Sequence, residues 1–202
     1  MSLFRKIFGS KPNSSKENSS IEERGKHMPK IEVPVDEKFM LEFKQNGGKF
    51  LYCINSDEVD SNLNSILKET KWNKEEGFIY NKSTKKIFKK SKIKLTENLE
   101  NATYFVTTVE ALVAEIGSLL ISSNQIAEKK INEYPNNIIA YATTSQIVHN
   151  ISEGLTGIKQ KNAPKIPTNI TTIKNFKEDL EESFLTYGTS AKNVYLLLLE
   201  DL

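Results

Sequence analysis

From residue 36 onward the chain alternates short, continuously apolar runs with segments whose apolar residues recur at helical spacing. Residues 36–43 predict a helix with Phe39, Met40 and Phe43 on one side, stopped by Asn46-Gly47-Gly48. Residues 49–54 are a brief apolar run suited to a buried strand. A helix start at Ser56-Asp57-Glu58 leads into Val59, Leu63, Ile66 and Leu67, again at helical spacing, up to Trp72. Residues 77–80 and 104–106 give two more short strands, and 111–114 lead through Glu115-Ile116-Gly117 into a strong strand over 118–123. Asn136-Asn137 turns into a buried strand over 138–142. Thr143-Thr144-Ser145 then caps a helix expected over 144–158, with Ile147, Val148, Ile151, Leu155 and Ile158 on one face and His149 inside it. Pro164 and Pro167 mark its exit, 170–173 is a β-branched strand, 179–185 a helix pattern, and 194–199 a closing apolar run. Strands apolar on both faces, alternating with helices, argue for an α/β fold whose mostly parallel sheet is covered on two sides.

The first thirty residues read differently. Leu3, Phe4, Ile7 and Phe8 would share one helical face, and residues 9–30 form a polar, mixed-charge linker expected to be disordered. The expected organisation is therefore an N-terminal segment over 1–30 and one domain over 31–202. Seven lysines crowd residues 82–94, with Ile87, Phe88 and Ile93 interleaved. With no arginine among them and no second basic segment, the patch reads as a solvated face rather than a nucleic-acid surface.

Composition narrows the chemistry. Lysine and arginine total 28 against 26 acidic residues, a formal charge of +2 that announces neither a nucleic acid nor a membrane. Cys53 is the one cysteine, and His27 and His149 are the two histidines. One thiol makes no internal disulfide and no four-thiolate cage, so no intrinsic metal site is expected. No apolar run is long enough to span a bilayer, and the first residues lack the apolar core of a secretory signal. The expected compartment is the cytosol.

In open parallel sheets, ligands gather at the carboxyl ends of strands. Two loops qualify. In the first, Glu115 stands beside Gly117 and Ser118, a carboxylate next to a residue that lets backbone approach a ligand. Partial burial there would raise the Glu115 pKa toward the range of a general base. The same residues serve equally as a salt-bridged turn. In the second loop, the hydroxyls and free N–H groups of Thr143, Thr144 and Ser145 suit a carboxylate or phosphate, or simply form an N-cap. Glycine-rich phosphate loops, Gly-x-Ser-x-Gly and His-Glu-x-x-His are missing.

The run Val109-Glu110-Ala111-Leu112-Val113-Ala114-Glu115-Ile116-Gly117-Ser118 resembles the Ala-Glu-Thr-Gly-Thr/Ser segment of the LUD domain, the LutC/YkgG lactate-utilisation family. Pro135 with Ile138-Ile139-Ala140, then Pro167 to Ile173, then Val194 to Asp201 are similar to later segments of that family in the same order. The resemblance covers about residues 100–201 well and 36–99 in pattern only. It implies a three-layer α/β/α fold like that of the NagB/RpiA/CoA-transferase group. It also implies an accessory, non-redox subunit beside an iron–sulfur partner that oxidises L-lactate or a related 2-hydroxy acid to pyruvate. Two family loops depart here. Gly-Pro-Ser-Arg-Thr-Ala-Asp-Ile becomes Asn175-Phe176-Lys177-Glu178-Asp179-Leu180, and Gly-x-His-Gly-Pro becomes Gly188-Thr189-Ser190-Ala191-Lys192. The alternatives are a free-standing isomerase or transferase using Glu115 on an anionic substrate (a CoA ester, sugar phosphate or folate), and a non-catalytic binding module.

Overall fold

The computed structural model divides the chain into two units, 1–32 and 33–202. Described are residues 33–176 and 192–201, all in the second unit. The amphipathic pattern of Leu3 to Phe8 and the helix expected over 179–185 lie outside them.

Helix α1 (Val35–Gln45) follows Pro34, carries Asp36 and Glu37 in its first turn and Lys44 in its last, and buries Phe39, Met40 and Phe43. Strand β1 (Lys49–Cys53) leads to helix α2 (Ser56–Glu69), whose N-cap is Asn55, one residue before the expected start. The Asn55 side chain accepts from the Glu58 N–H at 2.9 Å while the Glu58 carboxylate accepts from the Ile54 N–H at 2.9 Å. A helix of this length is marginal alone. Burial of Val59, Leu63, Ile66 and Leu67, each worth roughly 1.5–3 kcal/mol, fixes it to the sheet.

Strand β2 (Gly77–Phe78), helix α3 (Lys82–Ile87), strand β3 (Tyr104–Thr108), strand β6 (Asn137–Thr143) and strand β9 (Asn193–Leu199) complete the main layer. The five strands run parallel in the order β1-β9-β6-β3-β2. Alternate residues of β9 point to opposite faces, so its unbroken apolar sequence supplies two cores at once. Val194, Leu196 and Leu198 join Phe105, Ile138 and Ala140 against Phe39 and Phe43 of α1. Leu197 joins Val106 and Ile139 against α2 and Phe88. The mostly parallel, helix-covered α/β architecture expected from the sequence is present.

A second sheet was not expected. Strands β4 (Ala111–Val113) and β5 (Ser118–Ile121) form an antiparallel hairpin, flanked by β7 (Ile147–Val148) and β8 (Thr171–Ile173) in the order β7-β4-β5-β8. Its inner face sends Leu112, Leu119 and Ile121 into the main core. Its outer face packs Ala111, Val113 and Leu120 on Ile158 of helix α5 (Ile151–Asn162). Short strand runs carry no sign of which sheet they join, and the turn at residues 115–117 is what closes the hairpin.

The helix expected over 144–158 is corrected. Residues Thr144–Gln146 make a single 3-10 turn, Ile147 and Val148 pair with β4, and α5 begins only after Asn150. Asn150 is the competing cap: its side chain accepts from the Glu153 N–H at 3.0 Å. His149 is thereby exposed ahead of the helix, not within it.

Candidate functional site

The carboxyl ends of β3 and β6 open into a cleft of about 430 Å³. One wall comes from residues that end or succeed those strands: Thr108, Val109 and Glu110, then Tyr141, Thr143, Ser145 and Gln146. The facing groups come from the start of α3, from helix α4 (Ser123–Ile126), and from Lys161 and Asn162 in the last turn of α5. The lining is mainly amide and hydroxyl.

Glu110 is the best-held charged group in it. Ser122 Oγ and Asn124 Nδ2 both donate to its Oε1, at 2.7 and 2.9 Å. These donors are themselves fixed, because Ser122 caps α4 and Gln125 accepts from the Ser122 N–H at 2.9 Å. Gln146 Nε2 donates to the Val109 carbonyl at 2.7 Å, tying the loop after β3 to the turn after β6. Asn124 Nδ2 also lies 3.4 Å from Asn162 Oδ1, which joins the carboxylate's support to the end of α5. The second Glu110 oxygen and Lys161 Nζ have no partner among the described residues.

The loop Thr143-Thr144-Ser145 does bind a carboxylate, and that carboxylate is the chain's own. Asp201 accepts from Thr144 Oγ1 at 2.9 Å, the Ser145 N–H at 2.9 Å and Ser145 Oγ at 2.6 Å. Desolvation pushes the Asp201 carboxyl up, but these hydrogen bonds together outweigh it and hold the group below its usual range. Tyr141 beside it is shifted the other way, by burial first and then by the charge of Asp201. Thr143 and Ser145 line the cleft, whereas Thr144 is buried against Asp201.

The other expected site residues lie elsewhere. Glu115 sits on the hairpin turn, exposed, and outside the cleft lining; its N–H donates to the His149 carbonyl at 2.9 Å. The partial burial expected for it is not found. Gly117 has φ +57° and faces the backbone of α1, where a Cβ would lie 2.3 Å from the Glu42 carbonyl carbon. Asn46 Nδ2 donates to the Ile116 and Gly117 carbonyls at 2.7 and 3.1 Å, sealing the turn against that helix. Ser118 is fully buried, and its hydroxyl has no partner among the described residues. Glu110 was missed although it lies just past a recognised strand, and the carboxyl-end rule alone pointed to it. Lys161 gave no signal, since a lysine in a last helical turn is ordinary.

The residues present do not fit an iron–sulfur cluster. Cys53 is the sole thiol, is fully buried, and accepts from Asn62 Nδ2 at 3.2 Å. Burial raises its pKa above the ordinary thiol value. No group of three or more metal-binding side chains comes together among the described residues.

A parallel sheet with a polar cleft at its carboxyl ends defines an α/β protein with the cleft where such folds place their ligands. The sequence pattern of the LUD domain matches residues 37–198, and the chain belongs to that family. A crystal structure of a DUF162 family protein from Deinococcus radiodurans has the same fold, with a TM-score of 0.58 at 12% identity. The similarity covers 83% of this chain and 96% of that one. No protein of curated function matches.

Proposed function

We propose that this protein is an accessory, non-redox subunit that acts with an iron–sulfur partner, in the cytosol, in the oxidation of L-lactate or a related 2-hydroxy acid to pyruvate. The observation that carries this reading is membership of the LUD domain family across 37–198, a family linked to lactate utilisation. The single buried thiol supports it, because electron transfer through a cluster then falls to another chain. The polar cleft at the strand ends supports it as the candidate position for a small acid. Among the described residues no helix is long and apolar enough to cross a membrane.

The free-standing isomerase or transferase is the weaker reading. Its CoA esters and sugar phosphates carry several negative charges, and Lys161 is the one cation among the described lining, which also holds Glu110. Glu115, the base that reading named, is not in the cleft. The test is purification of the chain with the products of its neighbouring genes, and then an assay of lactate-dependent dye reduction. Co-purification with a cysteine-rich iron–sulfur protein, and a dye rate that depends on this chain, are expected. Absence of both refutes the proposal.

A further inference from the structure

We infer that the cleft binds one small acid bearing a single negative charge and a hydroxyl, with Lys161 on the carboxylate and the free oxygen of Glu110 accepting from the hydroxyl. This assignment rests on the 2-hydroxy-acid reading above and adds the residues that recognise the ligand.

Most polar groups around the cleft are already engaged with one another. Asn81 Oδ1 accepts from the Ser83 N–H and Oγ, each at 2.8 Å, Gln146 holds Thr143 and Val109, and Ser145 holds Asp201. Five groups of the lining make no hydrogen bond to the described residues: Lys161 Nζ, the second oxygen of Glu110, Gln125 Nε2, Thr108 Oγ1 and the Tyr141 hydroxyl. Lys161 and Glu110 are the charged groups of the described lining, and a ligand with one carboxylate for the first and one hydrogen-bond donor for the second uses both. A phosphate ester or coenzyme would bring several negative charges to a cleft that already holds Glu110, with Asp201 bound alongside at Ser145. An ionised carboxylate only accepts hydrogen bonds, so Glu110 demands a donor from the ligand. The hydroxyl of a 2-hydroxy acid supplies one, and the keto oxygen of the corresponding 2-keto acid does not.

The support of Glu110 dictates how an amide would sit in its place. Asn124 Nδ2 lies between two acceptors, Glu110 Oε1 at 2.9 Å and Asn162 Oδ1 at 3.4 Å, which fixes the orientation of the Asn124 amide. In Glu110→Gln the carbonyl oxygen must therefore take the position of Oε1, and the new NH₂ group takes the position of the free oxygen. The substitution converts an acceptor in the cleft into a donor without changing its shape.

The experiment is calorimetric titration of the full chain with L-lactate, propionate, pyruvate and ATP. The intact protein is expected to bind lactate roughly tenfold or more tighter than propionate or pyruvate, and ATP more weakly still. Lys161→Met, at an exposed position, should lose binding of all three monocarboxylates. Glu110→Gln should weaken lactate roughly tenfold and tighten pyruvate, reversing the preference. Unchanged lactate affinity in both variants, or ATP bound tighter than lactate, overturns the inference. So does a chain that binds no lactate while its complex with the partner still oxidises it; in that case the functional proposal stands alone. Lactate bound as described by a chain that associates with no partner overturns the functional proposal and not this one.

Discussion

Replacing Gly117 by alanine puts one methyl group where α1 already lies. At φ +57° an alanine pays roughly 1–2 kcal/mol for the left-handed conformation alone. Its Cβ would stand 2.3 Å from the Glu42 carbonyl carbon and 2.4 Å from the Phe43 nitrogen, where ordinary contact begins at 3.4 Å. Both are main-chain atoms of a helix, so no side chain can rotate away. The hairpin must back off by roughly 1 Å, an overpacking cost of about 1–3 kcal/mol. That movement also stretches the two hydrogen bonds from Asn46, worth ~1 kcal/mol each. The expected loss is about 3–6 kcal/mol, read as the fall in urea midpoint at constant slope. Gly157→Ala is the matched control. It lies within α5 with nothing inside 4 Å of its Cβ, and should gain about 0.5–1 kcal/mol. A Gly117→Ala loss below ~1.5 kcal/mol, or effects of the same sign at both glycines, would refute the reasoning. Where the Gly117 variant remains folded, its affinity for a cleft ligand should be unchanged, because Gly117 is not in the lining.

Lys192 is fully buried, its ammonium donating to the Tyr134 carbonyl at 2.8 Å and to Asn136 Oδ1 at 3.2 Å, and desolvation lowers its pKa to about 8 from 10.5. The unfolded chain therefore holds more protons between those values, and wild-type stability should rise relative to Lys192→Met by up to ~1.4 kcal/mol per pH unit from about 8 upward; parallel urea midpoints for the two proteins at pH 7.5 and 9.5 would exclude this. Asp201, with its depressed pKa, stabilises the fold above its unfolded value and loses that contribution as pH falls through the folded one. Asp201→Asn should thus cost under ~1 kcal/mol at neutral pH, given its exposure, and nothing in acid; a pH-independent difference contradicts the assignment. Cys53, buried and with a raised pKa, should resist a thiol reagent in the native protein and react fully in denaturant, so rapid native labelling would show the strand end to be open.

The elements were largely legible because periodicity reports burial. β6 is apolar over 138–142 and β9 over 194–199 since both their faces are covered, and α1 and α2 show one stripe each. Sheet membership was not legible: Ile147-Val148 reads as helix face until Asn150 is seen to cap α5 beyond it. The site was half legible. Thr143 and Ser145 were placed by their hydroxyls, but the anion they hold comes from Asp201, a contact across 56 residues for Ser145 that no local pattern encodes. Glu115 drew attention through its neighbours in sequence, while Glu110 is selected by Ser122 and Asn124, which meet it only once the hairpin closes.

The cleft is lined from both hydrogen-bonded sheets. Thr108, Tyr141 and Thr143 ride on the parallel one, whereas Asn124 and Lys161 are carried by the helices α4 and α5 attached to the other. Between the sheets lie side chains such as Leu112, Leu119, Ile138 and Leu196, with no strand ladder crossing among the described residues. Beside the cleft the chain crosses from one sheet to the other at 109–110 and 144–146, and Asn81 Nδ2 donates to the Asn124 carbonyl at 3.0 Å. Gln146 bonds one crossing to the other, so side-chain amides, not a strand ladder, tie the parts of the cleft together.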